Sequence, residues 1–287
     1  MNVLIAVDGS KYSRWEFEWL TKLPFAVPLK IIALHVIDIP SVRAPFMAQP
    51  VILGSQQYIR KEIQQLEVRG KQALAEAKTL MASLKLRGKV AKDRGAVAVQ
   101  LLRRVPKRNG LLVIGSRGLD ALDRFMLGSV STHMTNHAPC SVLIVKEEAR
   151  PIGRVLFATD GSKASEKALD FLLTKLRPHV VGASGEHTAI EVVVTHVMPY
   201  FKYPEIKQAG TKLVEQSAEK LIKGGYVVDE AFRIGKPAEE ILKMAAQKKT
   251  DLIVTGARGA GAVARFLLGS VATKIMQHSH CSVLVVR

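Results

Sequence analysis

Two stretches of this 287-residue chain repeat a glycine spacing suited to holding an anion. Gly115-Ser-Arg-Gly118, nine residues and then Gly128-Ser129-Val130-Ser131 follow the apolar run ending at Ile114. Gly256-Ala-Arg-Gly259, nine residues and Gly269-Ser270-Val271-Ala272 follow the run ending at Thr255. Glycine lets backbone amides approach an anion with no Cβ in the way, and a helix start adds unpaired N–H groups and the positive end of its dipole. Ser129 and Ser270 add hydroxyl donors, and the guanidinium groups of Arg117, Arg124, Arg258 and Arg265 lie within reach of a phosphate. The competing reading makes the glycines turns, the serines helix caps and the arginines solvated surface. Repetition alone does not decide, because a purely structural motif would be inherited by both copies.

Two carboxylates occupy matching places. Asp8 and Asp160 close the first apolar run of each half, VLIAVDGS and VLFATDGS, after Ala6-Val7 and Ala158-Thr159. A carboxylate there either takes a hydrogen bond from a ribose or base, or helps cap the next helix. His35 and His196 precede Val36 and Val197 at the end of the second apolar run, and no third ligand pattern surrounds them. They read as core residues, and no side-chain metal site is expected.

The elements that position these groups come from an internal duplication. Val3–Ser10 answers Val155–Ser162 at an offset of 152, His35 answers His196 at 161, and Val113–Thr132 answers Val254–Thr273 at 141. The polar stretch Lys146 to Gly153 separates the copies, which gives domains over residues 1–148 and 151–287. Within each copy, short β-rich runs alternate with helical patterns, the signature of a mostly parallel sheet covered on both faces. One helix is predicted from about Ile59 to Leu84, with Ile63, Leu66, Leu74, Ala77 and Leu84 on one stripe. The first copy carries extra residues from Pro40 to Ser55, where three prolines predict a connecting loop.

Composition narrows the class. The hydrophobic share is 48%, no apolar run is long enough for a membrane helix, and the start lacks a signal-peptide pattern, so a cytoplasmic globular protein is expected. The two cysteines, Cys140 and Cys281, each precede a terminal apolar run and read as buried thiols. The net charge of +17 is spread over both copies and favours an anionic partner. The basic cluster Arg103, Arg104, Lys107 and Arg108 falls at a predicted helix C-terminus, where positive charge suits the dipole. Nucleic acid is the less favoured partner, since aromatics make up only 6% of the chain.

With the spacing G-2x-G-9x-G-S, an Asp after the first strand and a Val after the second in both halves, the chain resembles the ATP-binding branch of the universal stress protein family over nearly its whole length. The resemblance implies two tandem doubly wound α/β domains of the adenine nucleotide alpha hydrolase-like kind, each a mainly parallel five-stranded sheet with helices on both faces. It implies pairing of the domains through their last strands, SVLIV and SVLVV. It also implies a pocket for ATP, with ADP or AMP as alternatives and Mg²⁺ accompanying the phosphates. Asp8 and Val36, with Asp160 and Val197 in the second half, would contact the adenosine. Gly115, Gly118, Gly128, Ser129, Val130 and Ser131, with Gly256, Gly259, Gly269, Ser270, Val271 and Ala272, would line the ribose and phosphates.

Two departures stand out. Ala272 lacks the hydroxyl of Ser131, so the first site is expected to bind more tightly. Both halves read C-S-V where the family commonly has C-P-V, which changes the entry to the last strand and, with it, the pairing geometry. No Walker lysine, G-x-S-x-G elbow or H-E-x-x-H helix is present, so the leading expectation is a nucleotide-dependent stress-response or signalling regulator without efficient catalysis. A weak ATP hydrolase or phosphate-transferring enzyme and a basic nucleic-acid module remain alternatives. A homodimer and the identity of any protein partner stay open.

Overall fold

Runs of β-branched residues too short to fold alone need neighbours on both edges, and the helices between them are long enough to cross back over a sheet. The computed structural model describes residues 1–47, 55–107, 109–118, 127–181, 187–199, 204–259 and 268–287. The first half runs β1 (Asn2–Ala6), α1 (Lys11–Lys22), β2 (Lys30–Ile37), α2 (Ile39–Met47), α3 (Ser55–Ser83), β3 (Gly88–Arg94), α4 (Val97–Arg104), β4 (Gly110–Gly115), α5 (Ser129–His137) and β5 (Ser141–Val145). The second runs β6 (Arg154–Ala158), α6 (Lys163–Lys175), β7 (His179–Val181), β8 (His187–Ala189), β9 (Glu191–Met198), α7 (Pro204–Lys223), β10 (Val227–Ile234), α8 (Pro237–Gln247), β11 (Leu252–Gly256), α9 (Ser270–His278) and β12 (Ser282–Val286). Each half forms a five-stranded parallel sheet, in the orders β3-β2-β1-β4-β5 and β10-β9-β6-β11-β12. The hairpin β7-β8 stands apart as a separate two-stranded sheet.

The last strands join the halves. β12 pairs with β5 in antiparallel fashion, with Leu284 opposite Leu143, giving one ten-stranded sheet. Because strand residues alternate between faces, each half contributes to two apolar layers. One packs Ile5, Val113, Phe157 and Val254 with residues of α1, α3, α6 and α7, and the other packs Leu4, Leu112, Ile144 and Leu156 with α4, α5, α8 and α9.

The C-S-V serines explain part of the junction. The Lys146 backbone N–H donates to Ser282 Oγ at 3.2 Å, and the Arg287 N–H donates to Ser141 Oγ at 3.4 Å. Proline at either place would offer no hydroxyl. The side chains repeat the exchange. Lys146 Nζ donates to the carbonyls of Gln277 and Ser279 at the end of α9, while Arg287 donates to those of Thr135 and Asn136 at the end of α5. Each half thus places a cation at the negative end of the other half's final helix. Burial lowers Lys146 to about 8. Asp251 ties down the connecting segment, accepting from the Gly153 and Arg154 N–H groups and from Arg150 Nε.

Two elements differ from expectation. Residues Ile39–Met47 form α2 where a loop is predicted, while 48–54 lie outside the described residues. Asp38 accepts from the Ser41 N–H, and Pro40 falls in the first turn, where its missing N–H has no partner to lose. α3 begins at Ser55, and its buried line runs through Gly70, Ala73, Ala77 and Met81, with Ile63, Leu66, Leu74 and Leu84 only part-buried beside it. A Cβ on Gly70 would lie 2.7 Å from Ile37 Cδ1, so the closest approach of helix to sheet is made by small residues. Cys140 and Cys281 are buried free thiols, and burial pushes Cys140 up to about 11. Arg103 and Arg104 close α4, and Arg104 forks onto Asp93 at 2.8 and 2.7 Å; Arg108 lies outside the described residues.

Replacing Ser141 or Ser282 by Ala leaves a backbone N–H at the junction without its acceptor and is expected to cost about 1 kcal/mol each. The two serines sit at opposite ends of the paired strands, about 14 Å apart at the usual rise per residue, so the losses should add. Urea unfolding of both single variants and the double variant checks this; no loss in the double variant would show that the hydroxyls do not hold the junction.

Candidate functional site

In both halves, the candidate residues gather at the carboxyl ends of the central parallel strands. Ala6, Val7 and Asp8 close β1, Val36 lies at the end of β2, Ile114 and Gly115 end β4, and Gly128 to Ser131 open α5. A backbone hydrogen bond links the third glycine to the residue after the first, at the strand end. The Gly128 N–H donates to the Ser116 carbonyl at 2.8 Å, and the Gly269 N–H donates to the Ala257 carbonyl at 2.9 Å. Arg124 and Arg265 lie outside the described residues.

The aspartates are oriented by the turns that follow them. Gly9 and Gly161 take φ of +84° and +73°, a left-handed conformation that glycine adopts without strain. That turn brings the Ser10 N–H to Asp8 Oδ1 at 2.8 Å and the Ser162 N–H to Asp160 Oδ1 at 3.0 Å. In the first half, Ser13 Oγ also donates to Asp8 Oδ1 and accepts from the Asp8 N–H. The other carboxylate oxygen faces the glycine loop: a Cβ at Gly118 would lie 2.8 Å from Asp8 Oδ2, and one at Gly259 would lie 2.6 Å from Asp160 Oδ2.

The three glycines of each loop divide by what surrounds them. A Cβ at Gly115 would come within 2.6 Å of Tyr12 Cβ, and one at Gly256 within 2.5 Å of the Ala164 carbonyl carbon, so the first glycine permits strand and helix to touch. The second glycine makes room for the aspartate. At the third, neither constraint applies. Gly128 and Gly269 have φ of −61° and −66°, and a Cβ would meet its nearest neighbours at 3.5 and 3.4 Å, ordinary contact distances. Among the described residues, nothing requires glycine at these two helix N-caps.

In the second half a cavity of about 740 Å³ opens over this arrangement. Twelve second-half candidates line it: Ala158, Thr159, Asp160, Val197, Thr255, Gly256, Arg258, Gly259, Gly269, Ser270, Val271 and Ala272. Met198, Pro237, Ile241 and Leu268 add apolar wall that the motif alone does not reveal. The volume falls within the usual range for small-molecule sites, and apolar walls with a few convergent polar groups are their usual lining.

His35 and His196 hold strand ends in place. Nδ1 of each lies 2.8 Å from a carbonyl, that of Val7 or Thr159, so Nδ1 carries the proton. Ser131 requires a correction. Its hydroxyl is buried and donates to the Gly115 carbonyl at 2.7 Å, so it is committed inside the fold and gives no reason for tighter anion binding in the first half. Ser129 and Ser270, by contrast, are exposed at their helix starts. Arg117 Nη1 donates to Tyr12 Oη at 3.4 Å.

Glu16 is a residue of the first site that the motif does not mark. It is 2% exposed, its Oε1 accepts the Gly115 N–H at 2.5 Å, and its Oε2 has no hydrogen-bond partner among the described residues. Burial pushes its carboxyl well above the usual range, nearby Asp8 pushes it further, and the Gly115 N–H opposes both. The second half has Ala168 at the matching place. The signal available in the sequence is an acid on the buried face of α1, beside Tyr12, Ser13, Phe17 and Leu20.

A family model described as the universal stress protein family matches residues 1–146 and again 151–287. A universal stress protein of Mycolicibacterium smegmatis is 28% identical over 99% of this chain and 96% of its own length. Universal stress protein YxiE of Bacillus subtilis is 36% identical over 47% of this chain and 98% of its own length, a single copy aligned with one half. Among solved structures, a universal stress protein from Archaeoglobus fulgidus superposes with a TM-score of 0.69, at 22% identity, over 100% of this chain and 98% of that one.

Because the folded chain holds the Glu16 proton more tightly than the unfolded chain, stability conferred by its neutral form is lost as pH rises above the ordinary carboxylate range. Glu16→Gln keeps an acceptor for the Gly115 N–H and removes the buried charge. Its unfolding temperature should exceed that of the parent by several degrees at pH 8, with the gap narrowing toward pH 4. Thermal unfolding across that pH range measures the gap, and a constant difference would mean that Glu16 does not titrate anomalously.

Proposed function

The chain belongs to the universal stress protein family, and we propose that it is a nucleotide-dependent stress-response regulator that seats an adenine nucleotide at the carboxyl ends of its strands. The observation that carries this reading is the third glycine of each loop. Neither backbone conformation nor packing calls for glycine at Gly128 or Gly269, yet a side chain there would stand at the start of α5 or α9, where backbone N–H groups have no intrahelical acceptor. Space kept clear at a helix N-terminus suits a phosphate.

The rest of the arrangement fits an adenosine attached to that phosphate. Asp160 Oδ2, turned toward the loop, suits a ribose hydroxyl or an exocyclic amine. Val197, Met198 and Ile241 give the second cavity an apolar end for a purine ring. ATP is the proposed ligand, with ADP or AMP using the same groups, and Mg²⁺ accompanies the phosphates as part of the bound species. The proposed binding residues are Ala6, Val7, Asp8, Val36, Ile114, Gly115, Arg117, Gly118 and Gly128–Val130, with the backbone but not the hydroxyl of Ser131, in domain 1 (1–148), and the twelve candidates named on the second-half cavity in domain 2 (151–287). The proposed output is a change of shape or partner on binding.

Calorimetric titration of ATP with Mg²⁺ at physiological salt tests this, using the parent, Gly128→Val and Gly269→Val. Each variant should lose about 1–2 kcal/mol of stability, since valine is a poorer N-cap than glycine, and thermal unfolding checks that each remains folded. Each should also lose the binding of its own half. Unchanged binding in both folded variants, or none by the parent, would defeat the reading.

A further inference from the structure

A second cavity, of about 1170 Å³, lies where the two halves meet. One wall is α6, the opposite wall is the turn between α4 and β4 with the end of α5, and the floor is the start of β5 beside the end of β12. Six cations line it: Lys107 from the first half, Lys163, Lys167 and Lys175 from α6, Arg258 from the second glycine loop and Arg287 after β12. Among its described lining residues, Asp170 is the one acid. Among the described residues, no carboxylate forms an ion pair with any of the four lysines. Arg258 and Arg287 repel each other, and that repulsion adds to burial in lowering Arg287.

The duplication supplies an internal comparison. At the offset of 152, Lys163, Ala164 and Lys167 of α6 match Lys11, Tyr12 and Trp15 of α1. Tyr12 and Trp15 pack edge to face with ring centroids 5.0 Å apart, and Lys11 Nζ lies 5.5 and 5.1 Å from the two rings. The same helix face is therefore aromatic, with its lysine stacked on the rings, in the first half. In the second half it is basic and borders an open cleft. A shared fold does not impose this difference.

We propose that the cleft between the halves binds a linear phosphoanhydride chain, six cations across both halves facing successive phosphates. Its lining favours that ligand over a nucleic-acid strand, because base binding needs exposed aromatic platforms: Phe171, the one Phe, Tyr or Trp among the described lining residues, is buried, which leaves the imidazole of His137 as the exposed ring. Arg258 and Gly259 line both this cleft and the second glycine-loop cavity, so the chain has two chemical sources: free inorganic polyphosphate, or the phosphate tail of a nucleotide seated in that loop. Lys107 and the α6 lysines lie outside the loop, and the proposal stands whether or not the loop holds a nucleotide.

The test is titration of inorganic tripolyphosphate and longer polyphosphate into the full chain at several salt concentrations. Three variants accompany it: Lys107→Glu with Lys167→Glu; Ala164→Tyr with Lys167→Trp, which copies the first-half residues; and Lys61→Glu with Lys71→Glu on the distant, exposed face of α3. The first two should weaken binding about tenfold or more, while the third changes it little. Repeating the titration with saturating ATP separates the sources, since displacement that the cleft variants abolish identifies the nucleotide tail, and undisturbed binding identifies the free chain. Equal weakening by the α3 variant would reduce the effect to net charge and overturn the proposal. So would unaltered affinity in both cleft variants, or tighter binding of a single-stranded oligonucleotide than of polyphosphate at equal charge.

Discussion

The structure depends on one antiparallel contact in an otherwise parallel sheet. β5 and β12 are the last strands of their halves, buried on both faces in the joined sheet, and each would be an open edge without the other. An exposed strand with four consecutive apolar residues is a template for uncontrolled pairing. Their pairing removes both edges together and carries the two apolar layers across the boundary. The serine hydroxyls and the crossed cations fix its register, since Lys146 and Arg287 reach the opposite helix end only when β5 and β12 align as they do. The outer strands, β3 and β10, are left as edges, and both carry charged residues.

From this pairing follows the arrangement of the sites. Antiparallel joining turns one half end for end within the plane of the sheet, keeping equivalent helices on the same face, so the carboxyl ends of the strands in one half stand beside the amino ends in the other. The second glycine loop consequently looks onto the start of β5, and the first-half turn at Lys107 borders a cleft whose other wall is α6. The halves also differ beneath the loops. Glu16 takes the Gly115 N–H in the first, while Ala168 stands at its place in the second. Duplication supplied two scaffolds, and substitutions on α1 and α6 have made them chemically distinct.

Much of this is legible in the sequence because it is local. Strand runs, the aspartates at their ends and the glycine spacing are set by residues close along the chain, and two copies expose them by comparison. The same comparison shows its limit. Spacing treats the three glycines of a loop alike, whereas their surroundings, contributed by α1, α6 and the aspartates, give them three different tasks. Glu16 escapes notice because its partner lies 99 residues away. The helix α2 is obscured by its prolines, and the buried line of α3 by the small size of Gly70, Ala73 and Ala77, whose importance comes from closeness and not from hydrophobicity.

The connecting segment from Lys146 to Gly153 gives the strand pairing a further meaning. Two separate single-domain chains joined along the same edge would come apart on dilution and would carry two identical sites. Joined covalently, the partners are present at a high effective concentration that does not change with the amount of protein. A cell that lowers its synthesis of this chain therefore keeps the pairing intact, and every molecule carries one candidate site of each kind in fixed one-to-one ratio. The dissimilarity between Glu16 and Ala168, which exchange of subunits would scramble among like and unlike pairs, is preserved in each copy.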